Sequence, residues 1–141
     1  MDIPIQAYGA TVAEGKEYFF KTGCPIGVEN HIHICIFKDN KVFLFATGSS
    51  QLEKAKRRAF FLHYDEKTYP IFTKDGINKF EKDTYVDCNK PIETTPEKFN
   101  ELLSQSLVYE LPGIIDSDGL SRIAEGVKSS TLVESRIKNL F

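Results

Sequence analysis

The chain has 141 residues, 41% hydrophobic and 27% charged, with 18 lysines and arginines against 20 aspartates and glutamates and a net charge of -2 at pH 7. Such a length suits one domain with a core that needs no staples, and the balance of charge argues against a general polyanion binder while leaving room for a local basic patch. Cys24, Cys35 and Cys88 are odd in number and show no close pairing, which argues against a disulfide framework or a Cys-x-x-Cys zinc site. The chain starts without a basic stretch leading into an apolar run, and no segment approaches membrane-spanning length; a soluble cytoplasmic protein with no membrane contact is the expectation.

Pro4, Gly9 and Gly15 count against a helix at the start, and Lys16–Phe20 reads as a first strand. Two glycines and a proline make Thr22–Gly27 a loop. The clearest strand is 31–37, where period-2 alternation puts Ile32, Ile34 and Ile36 on one face and His31, His33, Cys35 and Phe37 on the other. Asp39 and Asn40 supply turn chemistry, and 41–47 returns as the partner strand with Val42, Leu44 and Ala46 opposed to Phe43 and Phe45. Leu52–Leu62 is ambiguous: its charged start suits a helical turn, while Ala59–His63 looks extended. Asp65–Lys67 reads as a turn, Tyr69–Phe72 as a short edge strand because of Pro70, and Ile77–Phe80 as a loop. Thr84–Cys88 reads as a strand ended by Asn89-Lys90-Pro91.

After Ile92 the period changes. Thr94 or Thr95 caps a helix with Pro96 at its first position, and Phe99, Leu102, Leu103 and Leu107, with Ser106, give its stripe. Leu111-Pro112-Gly113 interrupts it. A second helix capped by Asp116 or Ser117 carries Leu120, Ile123, Ala124 and Val127, and a third spans Leu132–Leu140. The order is strands first and helices last, which predicts a single mainly β domain: a small curled sheet or barrel over about 14–92 and a helical segment over about 93–141.

The candidate chemistry gathers around one hairpin. Histidine is the side chain whose ordinary titration lies near neutrality, and His31 sits where a loop enters a strand, a position suited to acid–base work, with Glu29 as a candidate carboxylate partner two residues away. Thr47, Ser49 and Ser50 offer hydroxyls and turn amides as a phosphate cradle, or plain turn and capping chemistry. Lys54, Lys56, Arg57 and Arg58 form a dense basic cluster for a nucleic-acid backbone, with Phe60, Phe61 and Tyr64 near enough to stack on bases; a solvated face beside core aromatics is the rival reading. His31, His33 and Cys35 share a face, but a straight strand spreads the first and last by roughly 13 Å, too far for one ion, so neither a metal nor another cofactor is expected. No motif supports a serine nucleophile, and a cysteine hydrolase is the weakest candidate.

The succession Gly27-Val28-Glu29-Asn30-His31, strand 32–37, strand 41–46 and Thr47-Gly48-Ser49-Ser50, with a later strand Asp83–Asp87 and a helical last thirty residues, resembles the MazF/PemK-like toxins. His31-Ile32 stands where that family has Arg-Pro, and Gly48 and Ser49 interrupt its threonine-serine pair. The resemblance implies an SH3-like barrel with helical additions, a homodimer, metal-independent cleavage of single-stranded RNA and an antitoxin partner. A non-enzymatic barrel module binding a protein or nucleic acid is the alternative.

Overall fold

The computed structural model describes residues 12–21, 30–73 and 82–141. The alternating run at the middle of the chain becomes the centre of a six-stranded antiparallel sheet. In chain order its strands are β1 (Lys16–Lys21), β2 (Asn30–Lys38), β3 (Phe43–Ser49), β4 (Ile71–Phe72), β5 (Thr84–Thr94) and β6 (Tyr109–Ile114). They stand side by side as β4-β5-β3-β2-β1-β6, so the sheet curls into a half-barrel with β4 and β6 at its two edges. Among the described residues four helices accompany it: α1 (Leu52–Phe61), α2 (Pro96–Ser104), α3 (Ser117–Ser129) and the short α4 (Ser135–Lys138), with a 3-10 turn at Glu66–Thr68. Among the described residues no helix is long and apolar enough to cross a membrane.

The β2–β3 hairpin closes through Asp39, whose Oδ1 accepts from the amides of Lys41 at 2.7 Å and Val42 at 2.8 Å. Alternation then sorts the side chains. Ile34, Ile36, Leu44, Ala46, Val86 and Cys88 face one side and pack under Ile123 and Val127 of α3 and Ile137 of α4. The helix comes very close there: a Cβ on Gly126 would stand 2.6 Å from the Lys67 carbonyl oxygen and 2.7 Å from Cys88 Sγ. Tyr18, Phe20, Cys35, Phe43 and Phe45 face the other side and close around Phe99 of α2. Phe99 stacks on Phe45 at 5.3 Å between centroids and meets Tyr18 edge-on at 5.3 Å and Phe43 at 5.7 Å. Local sequence sets up both helices: Thr95 Oγ1 accepts from the Lys98 amide with Pro96 in the first turn, and Asp116 Oδ1 accepts from the Gly119 amide.

Four expectations need correcting. Phe37 leaves the histidine face, because an irregularity between Cys35 and Phe37 sets it opposite Leu44 and it packs against the α3 side. Asn89-Lys90-Pro91 does not end β5. Phe45 pairs with Ile92 and Thr47 with Asp87, so one residue of β3 faces four of β5, and the strand resumes beyond the bulge to Thr94. Residues 52–61 are helical throughout, and Phe60 and Phe61, 81% and 77% exposed, point to solvent instead of extending a strand. The segment 93–141 is not wholly helical: α2 stops at Ser104, Ser106 adopts a positive φ of 57°, and residues 109–114 return as β6 along β1. The loops at Thr22–Gly27 and Ile77–Phe80 lie outside the described residues.

Phe99 is the one helix residue that all the rings of the second core share. Replacing it with alanine is expected to lower stability by about 3–5 kcal/mol, read as a fall in the urea midpoint, whereas Glu97→Ala on the exposed face of α2 should change it little.

Candidate functional site

The face of the sheet that holds the Phe99 cluster changes character toward the other end of its strands. The register brings Tyr18 opposite His33, His33 opposite Thr47, and Thr47 opposite Asp87. Phe20 lies opposite His31, and Ser49 opposite Tyr85. Aromatic packing thus gives way to hydroxyls, imidazole and carboxylate along one continuous face. β3 runs directly into α1, and residues 54, 55 and 58 share one side of that helix.

These pieces enclose a cleft of about 500 Å³. His31, Thr47, Ser49 and Ser50 line it together with Lys54 and Arg58 of α1. Gln51 gives α1 no side-chain cap, so the helix enters beside the cleft with its first-turn amides not capped by a side chain. Ser49 also has a structural duty, since its Oγ accepts from the Gln51 amide at 3.2 Å and shapes the entry to the helix. Of the basic cluster only Lys54 and Arg58 reach the cleft. Lys56 and Arg57 are exposed on other faces of α1 and do not line it. Phe60 and Phe61 are likewise off the cleft, while Tyr64 lines it. Glu29 and Cys24 lie outside the described residues.

The cleft contains two residues that sequence spacing did not join to it, Tyr85 and Asp87 of β5. Alternation along β5 puts both on one face, while Val86 and Cys88 on the other join the core under α3. What spacing lacked was the pairing of β5 with β3 across nearly forty residues. Tyr85 stacks on Tyr69 at 5.3 Å, and burial with the neighbouring Asp87 charge raises the pKa of the Tyr85 and Tyr64 phenols.

Asp87 is held from beneath. Its Oδ1 accepts from the Asn89 amide at 2.8 Å and from Asn89 Nδ2 at 3.2 Å. Asn89 is 4% exposed; its Nδ2 also donates to Thr68 Oγ1 at 2.9 Å, and its Oδ1 accepts from Ser130 Oγ at 2.7 Å. This buried network ties the cleft carboxylate to the 3-10 turn and to the end of α3. Its groups satisfy one another, as burial of polar atoms requires.

No protein-family model and no curated protein matches this chain.

His33, Cys35 and Cys88 are not part of the cleft. His33 is fully buried and stacked on Phe20 at 3.7 Å, and burial pulls its pKa down to about 4. Burial pushes the Cys35 thiol up to about 12 and raises that of Cys88, which makes both poor nucleophiles. Among the described residues, no group of three or more His, Cys, Asp or Glu side chains could hold a metal ion. On β1, Glu17 is 2% exposed against Gly113 of β6, where a Cβ would stand 2.0 Å from its Oε2. Among the described residues that oxygen has no hydrogen-bond partner, and desolvation raises the Glu17 pKa from 4.5 to about 7.

These two buried groups oppose each other in pH. Protonated Glu17 favours the fold at low pH, and that stabilisation is lost as pH rises from 4.5 through about 7. Neutral His33 favours the fold at higher pH, and its stabilisation is lost as pH falls from 6.5 through about 4. Each shift is worth about 3 kcal/mol. Relative to the native chain, Glu17→Gln should therefore lose stability by about that amount as pH is lowered across its window, and His33→Gln should gain it. Urea denaturation across the pH range checks both; stability curves parallel to the native one would contradict the assignment.

Proposed function

We propose that the cleft binds single-stranded RNA and that the protein is a metal-independent endoribonuclease of toxin-like type, with His31 in acid–base chemistry. The observation that carries this reading is the convergence of His31, the Thr47, Ser49 and Ser50 hydroxyls, and Lys54 and Arg58 on one cleft. Cleavage by an RNA's own 2′-hydroxyl needs a group to move a proton at the attacking or leaving oxygen, and donors for the phosphate between them. An imidazole, two cations and a set of hydroxyls beside a helix N-terminus supply those types. Tyr64 adds an aromatic ring of the kind that stacks on unpaired bases.

The curled six-stranded sheet with its accompanying helices supports the finer reading as well, an SH3-like barrel of the MazF/PemK type. In that reading His31 takes the place of the family's arginine at the start of the central strand, and an antitoxin and a second copy of the chain are its proposed partners.

Incubating the purified protein with single-stranded RNA in EDTA tests the activity. Cleavage is expected, with His31→Ala lowering the rate by about a hundredfold or more. Intact RNA across varied sequences would leave a non-enzymatic binding module. The geometry also divides the basic cluster. Replacing Lys54 and Arg58 with alanine should weaken RNA binding and lower the logarithmic salt slope by about 1.4, the value for two single-strand phosphates, while Lys56→Ala with Arg57→Ala should change the slope much less. Fluorescence anisotropy at several salt concentrations distinguishes the pairs, and equal effects would remove the cleft from the account.

A further inference from the structure

Asp87 is the feature of the cleft that phosphate binding does not explain. A carboxylate repels phosphate, yet this one lines a cleft otherwise furnished with cations and hydroxyls and makes no ion pair among the described residues. Its position is not left to chance. The two bonds from Asn89 both fall on Oδ1, and Asn89 is itself fixed by Thr68 and Ser130. The carboxylate is thereby pre-oriented with Oδ2 not engaged by Asn89, in a cleft that Tyr64 and Tyr85 also line and near enough for its charge to act on both phenols.

A rigid anionic acceptor beside aromatic rings complements the edge of a nucleobase. We propose that Asp87 is the specificity-determining residue of this cleft, accepting a hydrogen bond from the exocyclic amino group of a nucleobase and disfavouring uracil, the one RNA base without such a group. This rests on the RNA reading of the site. Adenine N6 and cytosine N4 each present an N–H donor at the rim of the base. The uracil N3–H donor is flanked by carbonyl oxygens on both sides, so a carboxylate approaching it meets two other acceptors. A contact to a ribose 2′-hydroxyl, by contrast, would be blind to the base.

The test is anisotropy with fluorescein-labelled oligoadenylate, oligocytidylate and oligouridylate of equal length and the full chain in EDTA, at a temperature and time where the RNA stays intact. The native protein is expected to bind the first two about tenfold more tightly than oligouridylate. Asp87→Asn keeps an Oδ1 acceptor for Asn89 and gains an amide donor that suits uracil O4, so the ratio should fall to about one. Asp87→Ala, checked for folding by thermal melting, should also lose the preference. Equal binding of all three by the native protein, or an undiminished preference in Asp87→Asn, overturns the base reading alone. Absence of salt-dependent binding to all three overturns the RNA reading with it.

Discussion

The whole arrangement depends on the bulge in β5, where a single residue of β3 faces four residues of its neighbour. Pro91 lacks the N–H that a regular ladder would use, and Asn89 and Lys90 leave the pairing with it. The bulge divides β5 into two pairing segments, one carrying Asp87 beside Thr47 and the other carrying Ile92 beside Phe45. It also frees Asn89 to turn its amide into the interior, where Thr68 and Ser130 meet it. A straight β5 would offer its backbone to β3 and have no such network. The same irregularity therefore bends the sheet and fixes the cleft carboxylate.

Either side of that division, one face of the sheet does two jobs. Around Phe43, Phe45 and Phe99 it is closed by aromatic packing that excludes water. Around His31, Thr47, Ser49 and Asp87 it is left open under α1. The apolar half stabilises the fold, while the polar half would gain little from closure, since its groups would need partners once buried. Against the opposite face, α3 and α4 complete a second apolar layer, and the close approach at Gly126 seats α3 beside both Cys88 and the turn that carries Thr68. Packing behind the sheet is in this way continuous with the hydrogen bonds that orient Asp87.

Much of this was legible locally. The alternation from Ile32 to Ala46 states, for every core residue but Phe37, which side of the sheet it faces, and the Asp39 turn closes the hairpin as its chemistry requires. His31, Thr47, Ser49, Ser50, Lys54 and Arg58 belong to one hairpin and the helix that follows it, so nearness in sequence brought them together on the page as it does in space. The rest depended on pairings that a single sequence does not display. Asn89-Lys90-Pro91 has the composition of a strand end, and only β3 on the far side of the bulge makes it a bend. Phe60 and Phe61 look like strand residues by type, but helix α1 continues through them and leaves both in solvent. Leu111-Pro112-Gly113 breaks a helical stripe, and the chain uses that break for an edge strand, where proline is tolerated. Asp87 and Tyr85 showed their shared face without showing what faced them.

The account's central claim is that the polar end of this sheet face, under α1, is where RNA sits. Titrating the isotopically labelled protein with a single-stranded RNA oligonucleotide and following backbone amide and histidine ring resonances addresses it most directly. The account predicts shifts at His31, Thr47–Ser50, Lys54, Arg58 and Asp87, with α3 and α4 silent. Shifts centred on α3, α4 or the exposed Phe60–Phe61 face, with His31 and Asp87 unmoved, would contradict it.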